Sequence, residues 1–234
     1  DNIYFGTYQQ SSDGSVGYNT DPIKWRVLEN ADGQLFLLSD QNLDVFQYHT
    51  DNESVTWETS TMRSWLNGYS AEQNTGGSSG TDYTGDNFIG AAFSEKEQGA
   101  IAETLVTDSD NTDYGTDGGN DTTDRIFLLS LRELINRNYF PNYGLSTNTE
   151  YVAGLRGMNE AGESDRWWLR SPGYYNEYAA FIEDDGSEIT EGNPVTDGAT
   201  AVRPAFNLDL SAVLFTSAAA GGKAGDSGLN AVND

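Results

Sequence analysis

The 234-residue chain contains no cysteine and only one histidine, His49. The lack of cysteine excludes disulfide scaffolds, thiol catalysis, and zinc or iron–sulfur sites held by thiolates. The single histidine excludes metal sites built from several imidazoles, and a serine triad would depend on this one position. No nucleophile motif such as Gly-x-Ser-x-Gly is present. We expect His49 to lie at the surface or in a turn.

Positive charge is also scarce, with 12 basic residues against 37 acidic ones and a formal net charge of -25. Such a charge repels phosphate backbones and anionic lipid, so nucleic acid and anionic membranes are excluded as direct partners. No run approaches the roughly 18 apolar residues of a membrane span, and we expect no direct membrane insertion. Such a charge is expected to serve mainly as a soluble surface, and divalent-cation binding or attraction to basic partners is the alternative.

The distribution of strand and helix patterns predicts one mixed α+β domain over residues 1–217. Strands are expected at both ends, with two or three short helices and long irregular loops between them. The predicted strands are 3–8, 23–28, 34–39, 125–130, 166–170, 179–183, 187–190 and 201–210, and the predicted helices are 61–66, 94–105 and 131–137. Strands 23–28 and 34–39 are expected to form a hairpin through a turn that ends at Gly33, and Thr59 or Ser60 is expected to cap the first helix. Residues 218–234 are small, polar and glycine-rich, which indicates a flexible tail or linker.

Two arginine-bearing aromatic segments, 167–173 (WWLRSPG) and 202–210 (VRPAFNLDL), flank a polar stretch. Arg170 and Arg203 are expected to be buried framework residues, because a guanidinium can stack and hydrogen-bond at once. Neighbouring strand residues face opposite sides, so one of the two tryptophans is expected to be buried and the other to point outward or under a loop. The predicted ligand-binding residues are Trp168, Tyr174, Tyr175, Asn176, Tyr178, Asp184 and Asp185, since tyrosine and asparagine are typical of recognition surfaces.

An acidic loop over residues 107–124 offers carboxylates on a glycine-rich backbone, the kind of ligand set that Ca²⁺ requires. Its spacing departs from the EF-hand pattern, because the glycine and the closing glutamate are missing. The alternative is that the aspartates only form turns by accepting hydrogen bonds from their own backbone. The candidate calcium ligands are Asp108, Asp110, Asp113, Asp117, Asp121 and Asp124.

The segments together resemble a family of uncharacterised surface domains from Gram-positive gut bacteria. The resemblance covers about residues 3–217. It rests on PIKWRVL, FLLS, MRSWLNG, FSEKE, YGTDGGNDTTDRIFLLS, WWLRSPG and VRPAFNLDLSAVLF.

More distantly, the order of elements resembles the C-type-lectin-like fold. The branch concerned is the one shared by formylglycine-generating enzymes and by the variable proteins of diversity-generating retroelements. That fold implies terminal strands paired in one sheet, two flanking helices and an irregular ligand face. Formylglycine-generating enzymes rely on cysteines, so the resemblance does not extend to their oxidase chemistry.

The resemblance and the polar aromatic stretch together predict a secreted or cell-wall-associated bacterial domain that binds a glycan or a surface protein without catalysis. Further domains are expected to follow it in a longer protein. A structural spacer or assembly module of a surface protein is the alternative. A third interpretation is a binding protein diversified by a retroelement, with the variable residues between 174 and 200.

Overall fold

A computed structural model describes residues 1–77, 79–140, 144–157 and 161–213 of the chain. The predicted tail at 218–234 lies outside the described residues. No helix within the described ranges is long and apolar enough to cross a membrane. The described residues form eleven strands: β1 (Asn2–Ser12), β2 (Tyr18–Ala31), β3 (Gln34–Ser39), β4 (Asp44–Val45), β5 (Thr104–Val106), β6 (Thr122–Asp124), β7 (Trp167–Pro172), β8 (Tyr178–Ile182), β9 (Glu188–Pro194), β10 (Ala201–Val202) and β11 (Ala205–Asp209).

Five short helices occur in the same residues, where two or three were expected, and the α+β class is confirmed. Their N-termini carry the side-chain caps that short helices need, since few backbone bonds hold them. Ser94 with Glu97, and Ser130 with Glu133, form capping boxes. The helices are α1 (Thr61–Asn67), α2 (Phe88–Ala92), α3 (Glu95–Gln98), α4 (Leu131–Leu134) and α5 (Glu150–Leu155), and a 3-10 turn covers Trp57–Thr59.

The first sheet has the strand order β1-β2-β3-β11, with antiparallel pairing throughout. The predicted hairpin between β2 and β3 is confirmed. Its two-residue connection places Asp32 at φ 52° and Gly33 at φ 75°, the positive values that a tight hairpin turn with the sheet's twist requires. The two terminal strands share this sheet but occupy its opposite edges, so they do not pair directly as the resemblance implied.

The second sheet has the order β4-β10-β7-β8-β9, and a separate antiparallel pair joins β5 to β6. Within the second sheet β10 runs parallel to β7, while β7, β8 and β9 form an antiparallel meander. Residues 201–210 were predicted as one strand. They form two, because the chain leaves one sheet and enters the other at Arg203 and Pro204.

Two further element predictions were wrong in part. The apolar side chains of residues 125–130 are buried, but the segment forms none of the eleven strands. Phe127 makes a single β-bridge to Ala205 instead. The helix predicted from Ser94 onward ends after one turn at Gln98, and Ile101 bridges to Leu208 of β11. Apolar periodicity marks burial in both cases but does not distinguish an irregular buried segment from a regular one.

Buried arginines link the elements, as expected. Arg203 is 1% exposed, donates to the carbonyls of Ser39 and Asp40, and lies 4.8 Å from the ring centre of Trp167. Arg170 is 4% exposed and donates to the carboxylates of Asp108 and Glu133. These two side chains fix β7 and β10 against the loops around them.

Candidate functional site

Three tyrosine rings lie together on the surface at the end of β7. Tyr114 is 38% exposed, Tyr174 46% and Tyr175 56%. The rings of Tyr114 and Tyr174 are perpendicular with centres 4.9 Å apart, and those of Tyr174 and Tyr175 are inclined at 57° with centres 4.2 Å apart. We call these three residues and Asn176 the tyrosine patch. Aromatic rings left open to solvent in one cluster are typical of recognition surfaces.

The turn that carries Tyr174 and Tyr175 depends on Gly173. A side chain at Gly173 would place its Cβ 2.4 Å from the carbonyl oxygen of Glu191 and 2.7 Å from Cβ of Tyr178. Hydrogen bonds then close the turn, because Gly173 N donates to Tyr178 O at 2.7 Å and Tyr174 N donates to Glu191 O at 2.7 Å. The close approach of the β7–β8 connection to β9 therefore requires glycine.

The acidic loop is held against this turn and contributes Tyr114 to it. Asn111 is 1% exposed, and its amide donates to the carbonyls of Pro172 and Thr190 at 2.9 and 2.8 Å. Thr116 Oγ1 donates to Tyr174 O at 2.9 Å, and Asn176 Nδ2 donates to Asp117 O at 2.8 Å. Two segments that the sequence presents as separate candidates, the tyrosines and the acidic loop, thus form one surface.

The patch encloses a shallow depression of about 530 Å³. Its electrostatics are set by hydrogen bonds among phenols and carboxylates. A hydrogen bond to the Glu191 carboxylate raises the pKa of Tyr114, and one to Tyr174 raises the pKa of Tyr175. The lining residues are Ser54, Tyr114, Gly115, Thr116, Asp117, Tyr174, Tyr175, Asn176 and Glu177.

Of the other predicted ligand-binding residues, only Tyr178 lies beside the patch, at 37% exposure. Asp184 and Asp185 sit in the turn at the far end of the β8–β9 hairpin. A strand advances about 3.3 Å per residue, which puts Asp184 roughly 20 Å from Tyr178. The structure therefore does not bring these two aspartates to the tyrosines.

One of the paired tryptophans was expected to be buried and the other to point outward or under a loop, and the structure shows the second alternative. Trp167 and Trp168 are both fully buried, and the indole N–H of Trp168 donates to Phe46 O at 3.1 Å. Both faces of β7 are covered, because the ring of Trp168 packs against Tyr48 and the ring of Trp167 lies under the guanidinium of Arg203. Trp168 is a core residue and has no surface to offer a ligand.

Five of the six aspartates proposed as calcium ligands accept hydrogen bonds from separate partners. Asp108 and Asp124 are buried in ion pairs, with Arg170 at 3.1 Å and with Arg63 at 2.7 Å. The indole N–H of Trp57 and the hydroxyl of Tyr69 also donate to Asp124. These contacts satisfy both oxygens of Asp124, whereas in Asp108 only Oδ1 accepts from Arg170 and the buried Oδ2 has no hydrogen-bond partner among the described residues.

Of the remaining loop carboxylates, Asp117 follows the turn alternative, because it accepts a hydrogen bond from the backbone N–H of Gly119 two residues on. Asp110 and Asp121 accept instead from the more distant N–H groups of Gly118 and Asp108, across the loop. Within the described ranges, no three of the six aspartates, Asp113 included, place carboxylate oxygens within 4.8 Å of one another. The structure thus does not assemble them into a coordination shell.

The prediction for His49 was wrong, because this residue is 1% exposed. Its Nδ1 accepts hydrogen bonds from the backbone N–H groups of Thr61 and Gly77, both at 3.2 Å, and so stabilises the start of α1. Nδ1 is therefore the unprotonated nitrogen, and Nε2 carries the proton and faces Glu53 at 3.2 Å.

His49 also belongs to the one group of three metal-compatible side chains in the described residues, together with Asp51 and Glu53. Ligation through Nε2 would need that nitrogen to lose its proton while Nδ1 still accepts from two N–H groups. The donor set therefore does not suit a cation. Sequence reasoning missed this role, because neither N–H donor is near His49 in the chain.

Sequence reasoning also missed Tyr114, Asn111 and Thr116. Their local sequence is that of a polar loop, and the only signal was the length of the loop itself, since long ordered loops carry function. The contacts that give them their roles are made about 60 residues away, with Pro172 and Tyr174.

The geometry defines an α+β domain with a solvent-facing surface of aromatic rings and carboxylates. Residues 32–210 match the family described as Domain of unknown function (DUF6273), and the chain belongs to this family. No curated protein and no solved structure matches the chain.

Proposed function

We propose that this domain is a non-catalytic ligand-binding module and that the tyrosine patch is its contact surface. The observation that carries this proposal is the exposure of three clustered rings in a chain whose five tryptophans are all buried. Large apolar side chains are normally withdrawn from water, so a cluster left outside on a fixed backbone favours a recognition role.

The patch is held in place before any ligand arrives. Its backbone is fixed by Asn111, Thr116 and Asn176, whose side chains bond to carbonyls of the opposing segment. A rigid surface loses less conformational entropy on binding, which leaves more of the contact energy as affinity. Tyrosine adds contact area with few rotatable bonds and a hydroxyl for hydrogen bonding.

The ligand we propose is a glycan or a surface protein. Tyrosine rings provide apolar faces, and Asn176, Ser54 and Thr116 provide polar groups around the same depression. This mixture suits an amphipathic ligand better than a purely apolar one. Binding is favoured over catalysis because both nitrogens of the single histidine already have partners and His49 is not among the residues that line the depression.

We further propose a C-type-lectin-like arrangement for the fold and a secreted or cell-wall-associated location in a bacterium. The resemblance of the WWLRSPG and VRPAFNLDL segments supports this proposal, as does the presence of β1 and β11 in one sheet. Residues 174–176 lie in the patch. A retroelement that diversified the stretch after 174 would therefore change the contact surface directly.

The proposal is tested by comparing two variants on a glycan array and on immobilised surface proteins of Gram-positive cells. One variant carries Tyr174→Ala and Tyr175→Ala, and the matched control carries Tyr4→Ala, a tyrosine that is 60% exposed on β1. We expect the double variant to lose binding at least tenfold with a nearly unchanged melting temperature, and the control to bind normally. Equal binding by the double variant and the control would refute the proposed surface.

A further inference from the structure

The depression in the tyrosine patch is lined by acidic and aromatic side chains without any basic one. Asp117 and Glu177 provide two carboxylates, and none of the nine lining residues is lysine, arginine or histidine. Their negative potential is not offset locally, in a chain whose net charge is already -25. Such a surface repels anionic ligands and attracts cations.

The ring geometry also favours a rounded cation over a flat ligand. Tyr114 and Tyr174 meet at 90°, and Tyr174 and Tyr175 meet at 57°. A flat sugar ring stacks on one face at a time, whereas a compact cation can contact several inclined rings together. An ammonium group within about 6 Å of a ring centre is attracted by the negative face of the ring.

A carboxylate outside the depression strengthens this field. The side chain of Glu191 acts on the hydroxyl of Tyr114 and raises the pKa of this phenol, so a third carboxylate contributes negative charge beside the rings. The side chain of Glu177 is held as well, because Ser54 Oγ donates to it at 3.1 Å.

We infer that the tyrosine patch binds an organic ammonium group, with the rings around the cation and Asp117 and Glu177 supplying the opposite charge. The inference rests on the proposed function and names the chemical class of its ligand. Two sources have this chemistry, a primary amine and a methylated amine. They differ in whether the group brings N–H donors or only methyl surface to the rings.

The first test is an NMR titration of the whole chain with choline chloride and with 3,3-dimethylbutan-1-ol, which has the shape of choline but no charge. We expect choline to shift the backbone amide signals of residues 114–117 and 174–177. The uncharged compound should bind about two- to fivefold more weakly, the range that a cation–π contact at an exposed site provides. Added NaCl should weaken the choline response. A parallel titration with methylammonium chloride identifies which source is preferred.

The second test separates charge from shape with matched variants. Glu177→Gln should weaken choline binding about threefold or more, because it removes one carboxylate beside the rings. Glu188→Gln makes the same charge change at the far end of the β8–β9 hairpin and should leave binding unchanged. Both variants should unfold at the melting temperature of the parent chain.

Two results would overturn the inference. One is an equal response to choline and to its uncharged analogue, and the other is the absence of any choline-induced shift in the patch. Neither result touches the proposed function, which fails only if replacement of Tyr174 and Tyr175 leaves glycan and protein binding intact. The two hypotheses are therefore tested by different readouts.

Discussion

The two ends of the acidic loop and its tip have similar compositions but opposite environments. Asp108 and Asp124, at the ends, are nearly inaccessible and paired with arginines. Asp117 and Tyr114, at the tip, are open to solvent beside Tyr174. The ends hold the loop to the core, and the tip presents a surface, so the acidic residues by themselves do not locate a functional site. Their partners decide what each one does.

The largest effect is expected when one end of the loop loses its cation. Arg170→Met leaves Asp108 and Glu133 without their shared guanidinium and should lower the free energy of unfolding by about 3–5 kcal/mol, because an uncompensated charge stays buried. Urea unfolding at neutral pH measures the loss. Arg132→Met removes an exposed arginine near the same loop, and its effect should stay within about 0.5 kcal/mol. Similar losses in the two variants would mean that the ends do not anchor the loop.

Asp44 is a buried carboxylate that differs from Asp108 and Asp124, because its partner is a tyrosine hydroxyl and not an arginine. Asp44 is 7% exposed and accepts a hydrogen bond from the hydroxyl of Tyr8, and burial raises its pKa to about 6. The folded chain therefore binds a proton more tightly than the unfolded chain does. Its free energy of unfolding should rise as the pH falls from about 7 to about 4, by about 2–3 kcal/mol from this group.

Asp44→Asn isolates that contribution, because the remaining acidic residues are common to both chains. The variant should be more stable than the parent at pH 8 and should lose part of the pH dependence in urea unfolding between pH 7 and pH 4. Parallel pH profiles for the two chains would show that Asp44 is not the titrating group.

In the β7–β8 connection beside the tip, Gly173→Ala is expected to have an intermediate effect. The added methyl group meets the carbonyl of Glu191 at 2.4 Å, so the turn must shift, at a cost of about 1–3 kcal/mol. The same shift displaces Tyr174. It should therefore weaken ligand binding more than the small drop in melting temperature alone would suggest. Gly14→Ala is a suitable control for an exposed turn, since nothing lies within 4 Å of its added Cβ, although its positive φ adds some strain. Unchanged binding in Gly173→Ala would show that the turn tolerates displacement.

Local chemistry in the sequence was enough to predict the α+β class, the β2–β3 hairpin, the capped start of α1 and the buried roles of Arg170 and Arg203. Each of these depends on neighbouring residues or on one strong pattern. The burial of Trp168 and His49 could not be predicted in the same way, because it depends on segments far away in the chain that cover both faces of β7 and close over His49. The tyrosines were found from their composition, whereas Tyr114 joins them only through contacts across the fold.

The smallest effect is expected from calcium, and it bears directly on the ends of the loop. Ca²⁺ needs about six to eight oxygen ligands, but the carboxylates of Asp108 and Asp124 already face guanidinium groups. A ligand raises stability only if it binds the folded state. The melting temperature in millimolar CaCl₂ should therefore match that in EDTA at equal ionic strength to within about 1 °C. For a chain of this size, a change of 1 kcal/mol in the free energy of unfolding would move the melting temperature by about 2–4 °C. A rise of several degrees that EDTA reverses and that Asp108→Asn abolishes would contradict this expectation. It would mean that the acidic residues rearrange around a cation, and that the ends of the loop, as well as its tip, belong to the functional surface.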